Sequence, residues 1–378
     1  MLHGIRGERQ EPGLGNVERL PVPRSERVAV LLNANARAVS EELKRELENF
    51  VPAEDLFYSR CFDDARSIAR QVLDRGYGTV LTGGGDGTFV GYVNCLFEEA
   101  MARPNREDAR GAFKLAPVPM HSIRMPRFGV LKLGTGNAVA EFVGASDRAI
   151  GVVEDILRTR SGEVSGSRRL HLLSFEGKRA PFAGLGIDAA LLNDYVRLKD
   201  RVKGGSFEFL GNGGLGYFCS VAGRTIPAYL MRRSVPRVEV INLGGPAQRI
   251  GPDGKPAGRD IDRGEIMYQG PCKIAAAGTV PYYGFGFHIF PWALQAPGRF
   301  QLRLTAIGVP KILANLRTLW RGGPPPRGVF DFQCDKVLIR FDREMPLQVG
   351  GDAEGYRREV VLEMAERPLE LIDFHLKS

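Results

Sequence analysis

The stretch Thr79-Val80-Leu81-Thr82-Gly83-Gly84-Gly85-Asp86-Gly87-Thr88 runs from a short β-type segment through three consecutive glycines into a segment of helical character. Glycine allows backbone conformations with positive φ and leaves the neighbouring N–H groups uncovered. The positive end of the following helix would face the same spot, which favours a bound anion. The stretch therefore predicts a phosphate-binding loop, here called the first loop, made of Gly84, Gly85, Asp86, Gly87 and Thr88.

Asp86 is the acidic residue of the first loop. A carboxylate does not attract bare phosphate, so Asp86 fits either as a ligand of a magnesium ion or as a side chain that orients the loop. We therefore take Asp86 as a candidate catalytic and metal-binding residue. The stretch lacks the GxxxxGK[ST] pattern of a Walker loop and the last small residue of a dinucleotide-binding fingerprint.

A second stretch of the same kind, LKLGTGNAVA at residues 131–140, follows roughly fifty residues downstream. Again a β-type segment enters glycines and a helical segment leaves them. Alone, the tetrapeptide Gly134-Thr135-Gly136-Asn137 is as consistent with an ordinary turn as with a ligand site. Paired with the first loop, it predicts a second loop that serves the same ligand, here called the second loop.

The segments around the two loops predict the fold of the first part of the chain. Short runs rich in β-branched residues and leucine at 27–32, 79–81 and 128–131 alternate with helical patterns. This alternation predicts a Rossmann-like α/β nucleotide-binding domain with a parallel sheet over residues 26–165. Residues 1–25 lack the apolar middle of a secretory signal and are predicted to be a polar, flexible leader.

The later part of the chain has a different sequence pattern. Short β-type runs, Leu170–Phe175 among them, alternate with Gly and Pro turns. This pattern predicts an antiparallel β-sandwich domain over residues 166–364, so that the fold class is α/β plus β. Residues 365–378 form a final segment. Helical inserts are predicted at residues 190–203, 214–232 and 309–320.

The chain has a formal net charge of +8, because 52 Lys and Arg outnumber 44 Asp and Glu. This excess favours anionic partners such as phosphorylated ligands or an acidic membrane surface. The basic residues are dispersed and no aromatic–basic recognition motif accompanies them, so we expect no nucleic-acid partner. Scattered histidines and cysteines argue against a zinc site or a disulfide framework. No apolar run has the length of a spanning helix, and we expect a cytoplasmic protein.

The two loops together resemble the diacylglycerol kinase catalytic family, which also includes sphingosine, ceramide and bacterial lipid kinases. The resemblance covers roughly residues 26–374. It implies an ATP-dependent lipid kinase with an α/β nucleotide domain, a β-sandwich and a last strand, near residues 369–372, that returns to the first domain. Three further segments are similar to family motifs: residues 184–189 to GxGxDA, residues 282–293 to YGGGM…xxPxA, and residues 319–322 to LFxGK.

The resemblance also implies a ligand set. ATP and Mg²⁺ are the implied cofactors, with the nucleotide phosphates against the first loop and Thr135 nearby. Asn33 stands where the family begins its NPxSG-like loop, although the Pro and Gly of that loop are missing here, and Ser59 stands where a Thr often contacts the nucleotide. The implied substrate is a lipid, reached by transient association with the inner face of a membrane. The oligomeric state stays open, with a homodimer as one option.

The family places its general base in a DGE motif after a strand, and this chain offers two registers for it in Gly350-Gly351-Asp352-Ala353-Glu354. Counting from the preceding Leu-Gln-Val strand gives Asp352 the place of the base, whereas sliding by two residues gives it to Glu354. We favour Asp352, because the length of the strand fixes the face to which a residue points. Both carboxylates could instead be ordinary turn residues.

The acceptor and the activity leave alternatives open. Asn137-Ala138 resembles sphingosine kinases more than diacylglycerol kinases, which favours a sphingoid base or ceramide over diacylglycerol. Residues 311–321, where basic residues alternate with Ile, Leu and Trp, either contact lipid or pack on the sandwich. Residues 295–298 lack the carboxylates that hold a structural magnesium ion in the family. A lipid- or nucleotide-binding pseudokinase and an NAD kinase, which shares GGDGT, are the alternatives.

Overall fold

The computed structural model describes residues 27–36, 38–103, 125–164, 166–186, 235–284 and 286–375. The predicted leader (1–25) and the predicted helical inserts at 190–203 and 214–232 lie outside these ranges. None of the helices in the described ranges combines the length and the apolar character that crossing a bilayer requires.

A six-stranded sheet, here called the first sheet, organises the first part of the chain. Its central strands are buried along almost their whole length, as expected for parallel strands. In chain order the elements are β1 (Val28–Asn33), α1 (Glu41–Phe50), a 3₁₀ turn (Ala53–Asp55), β2 (Leu56–Ser59), α2 (Phe62–Asp74), β3 (Thr79–Gly84), α3 (Asp86–Met101), β4 (Arg127–Lys132), α4 (Ala138–Phe142), α5 (Ala149–Arg160), β5 (Ser167–Leu170) and β17 (Leu369–Ile372). The strand order is β2-β1-β3-β4-β17-β5, and all pairs are parallel except β17 with β5.

The first sheet takes strands from both sides of the predicted domain boundary at residue 165. β17 pairs in parallel with β4 and antiparallel with β5, which forms the edge. The prediction of a single strand over Leu170–Phe175 is wrong, because β5 ends at Leu170 and a new strand begins at Leu173 in the other sheet. Two residues connect the two strands, and hydrophobic periodicity does not indicate a change of sheet.

The strands in the rest of the described chain pair antiparallel with one another, which confirms the predicted fold class. The helix predicted at 309–320 is interrupted at Asn315, whose side-chain amide donates to the carbonyl of Lys311 (2.8 Å) and so competes with the helical backbone. The elements are β6 (Leu173–Phe175), β7 (Lys178–Ala180), β8 (Phe182–Gly186), β9 (Arg237–Asn242), β10 (Gln248–Ile250), β11 (Ile266–Pro271), β12 (Ile274–Gly278), β13 (Phe300–Thr305), α6 (Val309–Ala314), α7 (Leu316–Trp320), β14 (Val329–Cys334), β15 (Lys336–Val349) and β16 (Asp352–Met364).

The long strand β15 joins two parts of this antiparallel region. Its first half pairs with β9 and its last three residues pair with β8, while β16 runs along its other edge. The register between β15 and β16 shifts between Arg340 and Met345. A strand with such an irregularity bends locally. The turn after Val349 lies against α3, where a Cβ built on Gly350 would come within 2.5 Å of Val90.

Candidate active site

The two glycine loops lie side by side where β3 and β4 end. These strands are parallel neighbours, with Gly84 paired to Lys132, so their following loops leave the same edge of the sheet. The loops touch backbone to backbone: a Cβ built on Gly134 would lie 2.1 Å from the Cα of Gly85. Such an approach requires glycine, and it makes one continuous surface of the two predicted phosphate loops.

Helix α3 begins at Asp86, within the first loop. Gly85 is its extended N-cap, and the first main-chain bond of the helix runs from Phe89 N to Gly85 O (3.2 Å). The earlier N–H groups of a helix have no acceptor within it, so those of the first loop point outward at the positive end of the helix. The first loop is thus itself the first turn of α3, a geometry that suits phosphate oxygens.

Asp86 ties the first loop to the second. Its buried carboxylate accepts from the backbone N–H groups of Ala138 (2.8 Å) and Val139 (3.0 Å), which open helix α4. The side chain thus serves as a cap for a helix some fifty residues away. Burial raises the pKa of Asp86 to about 6, and the two backbone hydrogen bonds oppose that rise. Of the two roles open from the sequence, this geometry supports the orienting one directly.

Asn137 closes the second loop on itself, a role that the sequence reasoning missed. Its side-chain oxygen accepts from Gly134 N (3.0 Å) and its side-chain nitrogen donates to Gly134 O (2.9 Å). Its φ is +56°, in the left-handed region that asparagine tolerates better than most residues. Thr135 sits at the tip of this closed loop, its backbone nitrogen 3.7 Å from a Cβ built on Gly85.

The predicted contact residues Asn33 and Ser59 lie at the same edge of the sheet. They are register partners at the ends of β1 and β2. The Asn33 side chain donates to the Thr88 hydroxyl (3.0 Å), which packs over Gly84. Ser59 is buried, and its carbonyl accepts from Ala34 N (2.8 Å). The structure therefore brings Asn33 and Thr88 into direct contact, with Ser59 one strand further out.

A two-residue turn positions Asp352 next to the first loop. Gly350 and Gly351 connect β15 to β16 with φ of +59° and +91°, the combination of a type I′ hairpin turn. The buried Gln348 holds this turn, because its side-chain oxygen accepts from Gly351 N (2.9 Å) while its nitrogen donates to the Tyr283 hydroxyl. Gln348 and Tyr283 were not identified from the sequence, where neither has a distinguishing pattern.

The structure separates the two candidate bases. A Cβ built on Gly87 would lie 2.6 Å from a carboxylate oxygen of Asp352, so Asp352 packs directly on the first loop. Glu354 instead holds the ammonium group of Lys178 with both oxygens (2.6 and 2.7 Å). Asp352 is open to solvent on one side, but desolvation by its surroundings raises its pKa; Glu354 raises it further and Lys178 opposes the rise.

Helix α3 also fixes the antiparallel region at a second point. The buried Asn94 side chain donates to Arg179 O (2.9 Å) and accepts from Arg179 N (2.8 Å), as a neighbouring strand would. Asn94 lies seven residues, about two helical turns, beyond Gly87. The same helix therefore sets both the first loop and the position of β7, whose Lys178 holds Glu354 close to Asp352.

Adding a methyl group at Gly87 tests the contact with Asp352. We expect Gly87→Ala to lower kcat by about 10- to 100-fold, because the Cβ displaces the carboxylate by an ångström or more. Gly91→Ala, in the same helix, is the matched control, since its Cβ would meet nothing within 4 Å. Steady-state kinetics and thermal melting measure both variants. Equal activity in the two would contradict the assigned contact.

Comparison with known proteins agrees with this geometry. Residues 27–167 match the family model described as diacylglycerol kinase catalytic domain. No curated protein sequence matches the chain.

Three solved structures from Bacillus anthracis str. Sterne, described as a diacylglycerol kinase or candidate diacylglycerol kinases, share the fold. One aligns with a TM-score of 0.58 at 14% identity over 93% of this chain and 99% of that chain, and another with 0.57 at 16% identity over the same shares. The third aligns with 0.57 at 14% identity over 92% of this chain and 97% of that chain. The paired glycine loops lie within residues 27–167, and this part of the chain is therefore similar to the diacylglycerol kinase catalytic domain family.

Proposed function

We propose that this chain is an ATP-dependent lipid kinase that transfers the γ-phosphoryl group of ATP to a lipid hydroxyl. The observation that carries the proposal is the contact between the Asp352 carboxylate and Gly87. It sets a carboxylate from the antiparallel region against a loop that suits nucleotide phosphates, which is the pairing that phosphoryl transfer needs. The family match over residues 27–167 supports the same assignment.

In the proposed reaction, the lipid hydroxyl oxygen attacks the γ-phosphorus while the bond from that phosphorus to the β–γ bridging oxygen breaks. ADP leaves with the electron pair of that bond, and Asp352 takes the hydroxyl proton. N–H groups of the first and second loops hold the phosphates in line. Asp86 keeps the two loops together, so its contribution is to position the groups that bind the nucleotide.

Magnesium is expected to arrive with the nucleotide. In the described ranges no group of three or more His, Cys, Asp or Glu side chains could hold a metal ion. This fits Mg²⁺, which binds chiefly to substrate phosphates, keeps several waters and takes only one or two carboxylates from a protein. Asp86 within the first loop and Asp352 packed on Gly87 would face the ion, which would neutralise charge on the transferring phosphoryl group.

The lipid acceptor is proposed to be diacylglycerol or a sphingoid base or ceramide, with Asn137-Ala138 favouring the sphingolipid. The enzyme would act from the cytoplasm during transient association with the inner face of the membrane. The test is magnesium-dependent transfer of labelled phosphate from ATP to diacylglycerol, sphingosine, ceramide and monoacylglycerol, with NAD as a further acceptor. A labelled lipid supports the proposal and names the acceptor. Transfer of label to NAD would favour the NAD kinase instead of the lipid kinase. ATP binding without any labelled product would favour the pseudokinase.

The pH dependence of kcat tests the role of Asp352. A base must be ionised, so the rate should rise with pH through a pKa that lies above the ordinary carboxyl value, because desolvation raises it. Lys178→Met removes the cation that lowers this pKa, so the acid limb should move to higher pH, whereas Glu354→Gln should move it to lower pH. If the acid limb of the pH profile stayed near pH 6 in both variants, the group that titrates would be Asp86 instead of Asp352.

A further inference from the structure

One segment of the antiparallel region contains basic residues but no acidic ones. Residues 266–330 contain seven Lys and Arg but not a single Asp or Glu, although acidic residues make up 44 of the 378 in the chain. One of the seven, Arg303, is buried and paired with Asp331. Because acidic residues are absent from it, the segment carries a net positive charge close to that of the whole chain, which is +8.

Four of these cations gather on α6, α7 and the turn that follows: Lys311, Arg317, Arg321 and Arg327 are all exposed. The Lys311 ammonium group donates to the carbonyl of Arg327 (2.9 Å), which ties the turn to α6. Within the described ranges, none of the four forms an ion pair. Their charge is therefore available to an anionic partner.

Trp320 lies in the middle of these cations. It is 43% exposed, and its ring packs against Phe287 with centroids 5.5 Å apart. The preceding residue, Leu319, is 7% exposed and anchors α7 to the core. An indole held half out of the protein among basic residues has the chemistry of a membrane-interface anchor, with an apolar body and a polar N–H. We call Lys311, Arg317, Trp320, Arg321 and Arg327 the basic face.

A single short segment connects the basic face to the candidate active site. His288 N donates to Trp320 O (3.1 Å), and four residues earlier Gly284 packs against the second loop, where its Cβ would lie 3.6 Å from the Cα of Gly136. A lipid kinase must receive a hydroxyl from the bilayer interface. Contacts at His288 and Gly284, four residues apart, therefore link the basic face to the second loop.

We infer that the basic face docks this protein onto bilayers that contain anionic lipid, with Trp320 inserted at the level of the headgroups. Its purpose rests on the proposed lipid kinase activity, but the binding itself does not require that activity. Each basic residue close to an anionic surface strengthens binding about fivefold. Reversing two charges with Arg317→Glu and Arg321→Glu should therefore weaken vesicle binding by at least about 25-fold.

The test is sedimentation of the full-length protein with phosphatidylcholine vesicles, with and without phosphatidylglycerol, in the absence of ATP. We expect binding only to the anionic vesicles, lost in the Arg317→Glu/Arg321→Glu variant. The matched control is Arg45→Glu/Arg148→Glu, which makes the same charge change at exposed positions of the first domain. Equal loss in both double variants would mean that net charge, not the basic face, drives binding, and would overturn the inference. Retained binding in Arg317→Glu/Arg321→Glu would overturn it as well.

Tryptophan fluorescence measures the insertion of Trp320 into the bilayer. The chain has two tryptophans, Trp292 and Trp320, so Trp320→Phe leaves only the emission of Trp292. Anionic vesicles should shift the emission to shorter wavelength in the wild type but not in Trp320→Phe. A labelled RNA that binds in place of vesicles, and is lost in Arg317→Glu/Arg321→Glu, would assign the face to nucleic acid and overturn the inference. Vesicle binding through this face without phosphate transfer to any lipid would keep the inference and reject the proposed kinase activity.

Discussion

Replacing Asp352 with Asn is expected to lower kcat by about 10²- to 10⁴-fold, the range attributed to a general base. Asn has nearly the same shape but cannot take the hydroxyl proton. The affinity for ATP should change little, since the phosphates are held by backbone N–H groups of the two loops. Pre-steady-state transfer from labelled ATP to the lipid acceptor, together with calorimetric ATP binding, separates the two effects.

Glu354→Gln is the discriminating partner of this variant. Glu354 pairs with Lys178 and does not contact the first loop, so its loss should lower kcat by no more than about threefold at neutral pH. Both residues are acidic and both lie in β16, with one residue between them, so the two variants are closely comparable. A larger loss in Glu354→Gln than in Asp352→Asn would move the base to Glu354.

The second large effect is expected at Gly134. In Gly134→Ala the new Cβ would meet the Cα of Gly85 at 2.1 Å, and neither backbone can yield without separating the loops. Separation would also break the bonds from Ala138 and Val139 to Asp86. We expect ATP binding to weaken about 100-fold or more, equivalent to about 2.8 kcal/mol, as measured by calorimetry.

Gly85→Ala approaches the same contact from the other side. Its Cβ would lie 3.5 Å from the Cα of Gly134, an ordinary van der Waals distance, so the loss of ATP affinity should be much smaller. Thermal melting of both variants checks that the fold survives. If Gly134→Ala bound ATP as tightly as Gly85→Ala, the two loops could not be in the contact described here.

The pseudokinase alternative draws part of its support from the altered DGE motif, in which the favoured register puts Gly350 where the family has an Asp. The structure gives this substitution a local reason: the position has a φ of +59°, and a Cβ there would lie 2.5 Å from a methyl group of Val90 in α3. Glycine thus permits the turn to approach α3 closely. The departure from the motif accompanies a close approach of Asp352 to the first loop and does not by itself indicate loss of activity.

Much of the fold followed from local patterns. The glycine stretches predicted both loops, and the alternation of apolar runs with helical patterns predicted the parallel sheet and the antiparallel region. The boundaries were less predictable. The change of sheet between Leu170 and Leu173 and the start of α3 at Asp86 depend on partners distant in the sequence, which no local periodicity encodes.

Local sequence patterns were enough to identify the available chemistry: two loops without obstructing side chains, one carboxylate within the first loop and two more after a strand. The contacts of each carboxylate depend on the folded chain. Asp86 accepts from the first turn of α4, Asp352 packs on Gly87, and Glu354 pairs with Lys178. The physical reason is that short sequence patterns encode backbone conformation and burial. A carboxylate's role depends instead on which donors folding brings within hydrogen-bond distance of it.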